Sequence, residues 1–290
     1  MKIYIDGKFY DKSEARISVF DHGLLYGDGV FEGIRAYGGK IFKLEEHLKR
    51  LYYSARAITL SIPLSMEGMR KAVIETLKVN GLKDSYVRLI VTRGEGDLGL
   101  DPKKCPRATL VIIAGKIALY PKEFYTKGLD LVTVSTKRNI SEALNPCIKS
   151  LNYLNNIMAK IESNRAHTLE AIMLNKDGYV AECTGDNILI FLGRNLITPP
   201  CWAGALDGIT RGTVMELAKD HLKMKVSEDL FTPYNIYTAD EVFLTGTAAE
   251  VIPVTKVDDR IIGTGKPGPI TKKLITAFRK LTKSRGTPIA

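Results

Sequence analysis

Apolar residues recur along this chain with two periods, and the switches between them mark out its elements. Residues 1–10, MKIYIDGKFY, alternate around an Asp6-Gly7 pair and predict a hairpin. Residues 28–37, DGVFEGIRAY, alternate again, and Gly38-Gly39 turns them into a second hairpin through Lys40–Phe42. From Leu44 the spacing changes: Leu44, Leu48, Leu51, Ala55 and Ile58 fall on one face of a helix. Ser65 opens a second helix that ends near Gly81. Strands follow at 85–93 and 107–114, joined by the glycine-rich GEGDLGLDP, too long for a tight turn. This order predicts a small α/β (α+β) domain over 1–118. Residues 119–128, LYPKEFYTKG, have no clear period and read as a linker.

The remainder, 129–290, is rich in strands. They are predicted at 129–135, 169–175, 178–182, 186–192, 195–198, 224–227, 240–245 and 250–257. Asp177-Gly178 makes a hairpin turn between two of them. Helices are predicted at 148–165, 210–221 and 267–283. Strands with helices interspersed suit a larger, barrel-like second domain. No GxGxxG follows a strand, which speaks against a dinucleotide fold.

One stretch carries chemistry on its face. In NPCIKSLNYLNNIM, residues 145–158, Lys149 is the only charge, and Ile148, Leu151, Leu154, Ile157 and Met158 surround it at helical spacing. A lysine among apolar residues loses hydration, which exposes the neutral amine that attacks a carbonyl. The plainer reading is a core-helix lysine that snorkels to solvent. Arg50, on a helix among aliphatic neighbours, offers a planar fork to a phosphate, or is simply a surface charge. DGITRGT, residues 207–213, opens a helix whose first N–H groups and Thr210 hydroxyl can bind an anion; an ordinary Thr210 cap is the alternative. TGTAAE, residues 245–250, lets backbone approach a ligand closely or simply joins two strands. Glu182, at a strand end, needs a cationic or N–H partner if buried. Residues 21–37 crowd Tyr26, Phe31, Arg35 and Tyr37 among glycines, as an aromatic wall or as two turns and a core strand.

Composition narrows the class. With 290 residues, 45% hydrophobic and 26% charged, this is an ordinary globular chain with room for two domains. It has no apolar run of membrane-spanning length and no signal-peptide core at its start, so a membrane role is not expected. The four cysteines, Cys105, Cys147, Cys183 and Cys201, are scattered without a CxxC pair. That argues for a reducing compartment, the cytoplasm, and against a disulfide framework or a metal site. The net charge of +10 is spread out; its densest cluster lies on the last helix and reads as a solvated face, not a nucleic-acid stripe.

Taken together and in order, DHGLLYGDGVFEG, HLKRL, YVRL, IKSLNYLNN, AECTGDN, GALDGITR and GTAAEV resemble the class IV, fold-type IV aminotransferases that use pyridoxal 5'-phosphate. The resemblance runs from residue 1 to about 283. Within the class, VFEGIRAY, DLGLDP, TPPCWAGALDGITR and GTAAEVIPV look most like branched-chain amino acid aminotransferase. The resemblance implies a small α/β domain, a larger pseudo-barrel and at least a homodimer, with the partner's loop around Leu98–Leu100 helping to close each pocket. It implies that Lys149 carries the cofactor and moves a proton between substrate Cα and cofactor C4', that Glu182 pairs with the pyridine nitrogen, and that Tyr153 bonds the phenolic oxygen. Arg50, Ile209, Thr210 and Thr247 would hold the phosphate. Tyr86, Arg88 and the amides of Thr247 and Ala248 would receive the substrate carboxylate. Phe31, Tyr26, Tyr153 and Trp202 would shape the side-chain pocket, with Arg88, Arg35 or Tyr26 meeting a γ-carboxylate. The implied reaction moves amino groups between L-leucine, L-isoleucine or L-valine and 2-oxoglutarate by a ping-pong route. Lys149 and Asn152-Tyr153 stand at the short spacing shared with D-amino-acid transaminases, and Trp202 is bulky for its place. A D-amino-acid or (R)-amine transaminase, or aminodeoxychorismate lyase, is therefore the alternative.

Overall fold

Strand Ser85–Thr92 shows how alternation builds the first sheet: Ser85, Val87, Leu89 and Val91 are buried, while Tyr86, Arg88 and Ile90 between them are half-buried. Successive strand residues face opposite ways, so one face of the sheet is apolar and the other carries functional groups. The computed structural model describes residues 1–117 and 119–289. The chain divides into two compact units, the first made of Met1–Ile117, Ile148–Asn152 and Thr282–Ala290, the second of Ala118–Cys147 and Tyr153–Leu281.

The first unit holds a seven-stranded antiparallel sheet in the order Thr287–Pro288, Lys40–Ile41, Gly29–Tyr37, Ser85–Thr92, Thr109–Gly115, Lys2–Ile5 and Lys8–Asp11. Helices Leu44–Ala57 and Met66–Val79 belong to the same core as its apolar face. The second helix starts where expected: Ser65 accepts a hydrogen bond from the Gly68 N–H at 3.1 Å, a side-chain N-cap. The core joins Val30, Ile34, Val87, Leu89 and Val91 to Leu48, Leu51, Met69, Val73 and Leu77, all fully buried. Asp6 and Gly7, both at positive φ, close the first hairpin.

The second unit holds the other sheet, whose order is Lys225–Glu228, Asn195–Thr198, Asn187–Leu192, Glu241–Gly246, Glu250–Val257, Leu129–Thr133, Glu170–Leu174 and Val180–Cys183, with Arg260–Ile261 paired to Glu250–Val257. All eight strands expected from periodicity are present. Pairing is mixed: Leu129–Thr133 runs parallel to both its neighbours, whereas Asn187–Leu192 is antiparallel to both of its own. The longer helices are Leu154–Arg165, Ile209–Asp220 and, up to Leu281, Pro269–Ser284. Among the described residues no helix is long and apolar enough to cross a membrane.

Two sequence readings change. The helix expected over 148–165 begins only at Leu154. Residues 149–151 are extended because the edge of strand Gly29–Tyr37 takes their backbone groups: Phe31 N–H donates to Lys149 C=O at 3.0 Å, and Leu151 N–H to Gly29 C=O at 2.9 Å. Leu154, Ile157 and Met158, which recur at helical spacing, are exposed, Leu154 by 68%. The stretch 119–128 is also not a bare connector. It contains the short helix Phe124–Lys127, and Tyr120 is buried because its hydroxyl donates to Asp186 in the second unit's core at 2.7 Å.

Candidate active site

In the first unit the position of Lys149 is set by backbone pairing. Lys149 lies in the extended segment beside Phe31, and its N–H donates to the Ser54 hydroxyl at 3.1 Å. Its Nζ sits 4.7 Å from the Phe31 ring centroid, a cation–π distance. The Arg88 guanidinium lies 4.6 Å from the same ring and 5.5 Å from the Tyr86 ring. Strand register explains the grouping: Gly33 faces Arg88 and Arg35 faces Tyr86, so Phe31, Arg35, Tyr86 and Arg88 share one side of the sheet. A Cβ at position 33 would come within 2.1 Å of the Tyr86 hydroxyl, so glycine there leaves room for that ring. Arg35 lies over the Tyr37 ring at 4.9 Å. Tyr26 donates to the Leu98 carbonyl at 2.6 Å, which ties it to the long glycine-rich loop.

On the opposite side of the same strand lies Glu32, which sequence reasoning passed over. It is 0% exposed. Arg50 Nε donates to its Oε1 at 2.7 Å and the Arg50 terminal nitrogen to its Oε2 at 2.9 Å, while His47 Nδ1 lies 2.7 Å from Oε2. Burial alone would raise the Glu32 carboxyl, but the Arg50 guanidinium and then His47 outweigh it and hold it down at about 2. Burial keeps the His47 imidazole below its ordinary value despite the facing carboxylate.

In the second unit Glu182 ends strand Val180–Cys183 and is buried. Its Oε1 accepts from Arg138 Nε at 2.9 Å; its Oε2 accepts from the Leu206 N–H at 2.9 Å and Asn187 Nδ2 at 3.3 Å. Arg138, buried and missed in the sequence, also reaches Asn155 and Asn156 at 3.2 Å each. The 183–186 turn is fixed by Glu170, which accepts from Thr184 N–H, and by Asn156, which donates to Thr184 C=O. Tyr153 is the N-cap residue of helix Leu154–Arg165. Ile209 and Thr210 open helix Ile209–Asp220, whose cap position is Gly208 and which has no side-chain cap. A Cβ at Gly208 would meet Asn187 Oδ1 at 1.9 Å, so only glycine fits there. Thr247 and Ala248 lie in the turn between strands Glu241–Gly246 and Glu250–Val257. Trp202, in the single turn Cys201–Ala203, is 70% exposed.

A model of the family described as amino-transferase class IV matches residues 29–257. The chain belongs to the class IV aminotransferases. A relative from Methanocaldococcus jannaschii, provisionally named a branched-chain-amino-acid aminotransferase, is 50% identical over all of this chain and 99% of its own. The crystal structure of the Escherichia coli branched-chain amino acid aminotransferase superposes with a TM-score of 0.95 at 32% identity, covering 98% of this chain and 95% of that one. The T.th. branched-chain amino acid aminotransferase complexed with N-(5'-phosphopyridoxyl)-L-glutamate superposes with a TM-score of 0.91 at 36% identity, covering 98% and 94%. The mixed α/β architecture is thus that of the fold-type IV enzymes.

The donor set of this aminotransferase fits a phosphorylated pyridoxal. The first-turn N–H groups after Gly208 have no side chain competing for an anion, and Glu182 is a buried carboxylate fixed by an arginine and an asparagine. A structural feature with no sequence signal is the thiol pair Cys147–Cys201. The two thiols interact electrostatically, and Cys147 Sγ lies 3.7 Å from the Ala205 carbonyl. The Cys201 thiol pulls Cys147 down to about 7 against the opposing effect of burial.

Proposed function

We propose that this aminotransferase exchanges amino groups between L-leucine, L-isoleucine or L-valine and 2-oxoglutarate, the donor leaving as its 2-oxo acid before 2-oxoglutarate enters and leaves as glutamate, with pyridoxal 5'-phosphate carried on Lys149. The names of its relatives support the branched-chain donors, and the glutamate adduct bound by the T.th. enzyme supports the second substrate. The observation that carries the reading is the face of the first sheet. An amine nucleophile and a guanidinium lie over one aromatic ring, Lys149 at 4.7 Å and Arg88 at 4.6 Å from Phe31. Such a surface offers an apolar wall to an aliphatic side chain and a cation to a carboxylate.

When bound, the cofactor supplies an electron sink for bond breaking at the substrate Cα. Lys149 would hold the cofactor, and its amine would be the base that moves a proton at the substrate Cα. Glu182, locked by Arg138 and Asn187, would accept the N–H of a protonated pyridine ring, and Tyr153 would donate to the phenolic oxygen. Arg50, Thr247 and the N–H groups of Ile209 and Thr210 would hold the phosphate. Tyr86 and the Thr247 and Ala248 amides take the α-carboxylate. Phe31, Tyr26, Tyr153 and Trp202 bound the side chain, with Arg88 meeting the γ-carboxylate of glutamate and Arg35 beside it. A homodimer belongs to the same reading, as does a cytoplasmic location. The exposed Leu98 and Leu100 suit a loop that reaches a partner's pocket.

The test is a half-reaction panel followed by cofactor absorbance with L-leucine, L-glutamate, D-alanine and (R)-phenylethylamine. L-leucine and L-glutamate are expected to convert the cofactor fully and fastest. Faster conversion by D-alanine or the amine would replace this reading with the D-amino-acid or (R)-amine one.

A further inference from the structure

Strand Gly29–Tyr37 turns Val30, Ile34 and Ala36 into the core shared with helix Leu44–Ala57, and all three are essentially fully buried. Glu32 occupies the same side of the strand, in the middle of that apolar series, and is as buried as they are. Its partners, His47 and Arg50, stand three residues apart on the helix and so share one helix face. The carboxylate is fully engaged: two guanidinium nitrogens at 2.7 and 2.9 Å and one imidazole nitrogen at 2.7 Å.

A buried ion pair gives little stability over apolar side chains of the same volume, because desolvating the charges offsets their attraction. What the arrangement does give is orientation. An arginine on a helix has several rotatable bonds, and a bidentate carboxylate fixes both the position and the plane of its guanidinium. His47 bonds the oxygen that also takes the Arg50 terminal nitrogen, so the carboxylate cannot swing away with the arginine. Arg50 remains partly open, at 13% side-chain exposure, while Glu32 and His47 are closed off.

We infer that Glu32 and His47 are positioning residues for Arg50, holding its guanidinium in the orientation that receives a phosphate monoester. The inference rests on the reading above in which Arg50 binds the cofactor phosphate. Glu32 and His47 touch neither cofactor nor substrate; they act through Arg50. Their effect should therefore be confined to the phosphate and absent for the rest of the cofactor.

That confinement supplies the experiment. The full-length enzyme is purified with its cofactor, stripped, and reloaded with either pyridoxal 5'-phosphate or pyridoxal, and the dissociation constants are read from cofactor absorbance. The measured quantity is the preference for the phosphorylated form. Arg50→Gln should cut this preference by about a hundredfold, as expected for losing a charge-assisted phosphate contact. Glu32→Gln and His47→Asn should each cut it about tenfold while leaving pyridoxal affinity near wild type. Glu32→Asp, which keeps the charge but shortens the reach, should recover part of the loss. A merely structural role would weaken both ligands in parallel and leave the preference unchanged, and that result in Glu32→Gln and Glu32→Asp overturns the inference. If Glu32→Gln yields no folded protein, Glu32→Asp decides alone: a wild-type preference overturns the inference and a reduced one supports it. The underlying reading fails separately, if Arg50→Gln itself leaves the preference unchanged. A second readout is the phosphorus NMR resonance of the bound phosphate, expected to shift in Glu32→Gln and to stay in place if Arg50 needs no clamp.

Discussion

Replacing Arg88 with leucine should separate the two substrates of the exchange. Among the described residues Arg88 meets two aromatic faces, Phe31 at 4.6 Å and Tyr86 at 5.5 Å, and no carboxylate. A strand arginine engaged in structural ion pairing would have an acid beside it; among the described residues this one instead shares the Phe31 ring with Lys149. If it receives the γ-carboxylate of glutamate, its removal leaves that carboxylate desolvated without a partner, a loss of about 2–5 kcal/mol. That corresponds to roughly 30-fold to a few thousandfold in the rate constant ratio kcat/KM for the glutamate half-reaction. L-leucine loses only the packing of the guanidinium on Phe31, about 0.5–1 kcal/mol for a partly exposed cation–π contact, or about two- to fivefold. Stopped-flow half-reactions of Arg88→Leu with each amino acid measure both numbers. Equal losses for leucine and glutamate would refute the reasoning, since Arg88 would then serve the shared α-carboxylate or the sheet itself.

Three further outcomes follow from named contacts. Arg138→Met should lower stability by about 3–5 kcal/mol in urea denaturation, because Glu182 stays buried without its cation; the double variant with Glu182→Gln should lose less than the sum of the two single changes. Glu32 is held at about 2 against an ordinary 4.5, so its contribution is complete above pH about 4.5 and vanishes as pH falls to about 2, a span worth about 3 kcal/mol. Glu32→Gln should therefore show a shallower loss of stability than wild type across that window; parallel curves would refute the assignment. Cys147 should react with iodoacetamide along a titration centred near pH 7, moving upward in Cys201→Ala, and an unchanged midpoint would refute the thiol contact.

Strands were legible wherever one face is buried and the other not, as in Ser85–Thr92, because a period of two leaves little choice of register. Helices Leu44–Ala57 and Met66–Val79 were legible for the matching reason, each presenting an apolar stripe to the first core. The Lys149 segment misled because its apolar residues recur at helical spacing while its first residues are drawn into pairing with a strand far away in sequence. Long-range pairing overrides local period, and no window around Lys149 contains Val30. Glu32 did leave a signal: in GVFEGIRAY it falls on the inward phase between Val30 and Ile34, where a charge demands a buried partner. Arg138 and the Cys147–Cys201 contact left none, since each is defined by a neighbour many residues away.

Lys149 is the residue on which every other proposed role depends, and one measurement addresses it directly. Holoenzyme is treated with sodium borohydride, which fixes the cofactor to the lysine that carries it, then digested and mapped by mass spectrometry. The label is expected on the peptide containing NPCIKSLNY, at Lys149, with Lys149→Ala protein taking no label under the same treatment. A label on any other lysine, or full labelling of the Lys149→Ala protein, would contradict the assignment of the reactive amine and with it the roles given to the residues around it.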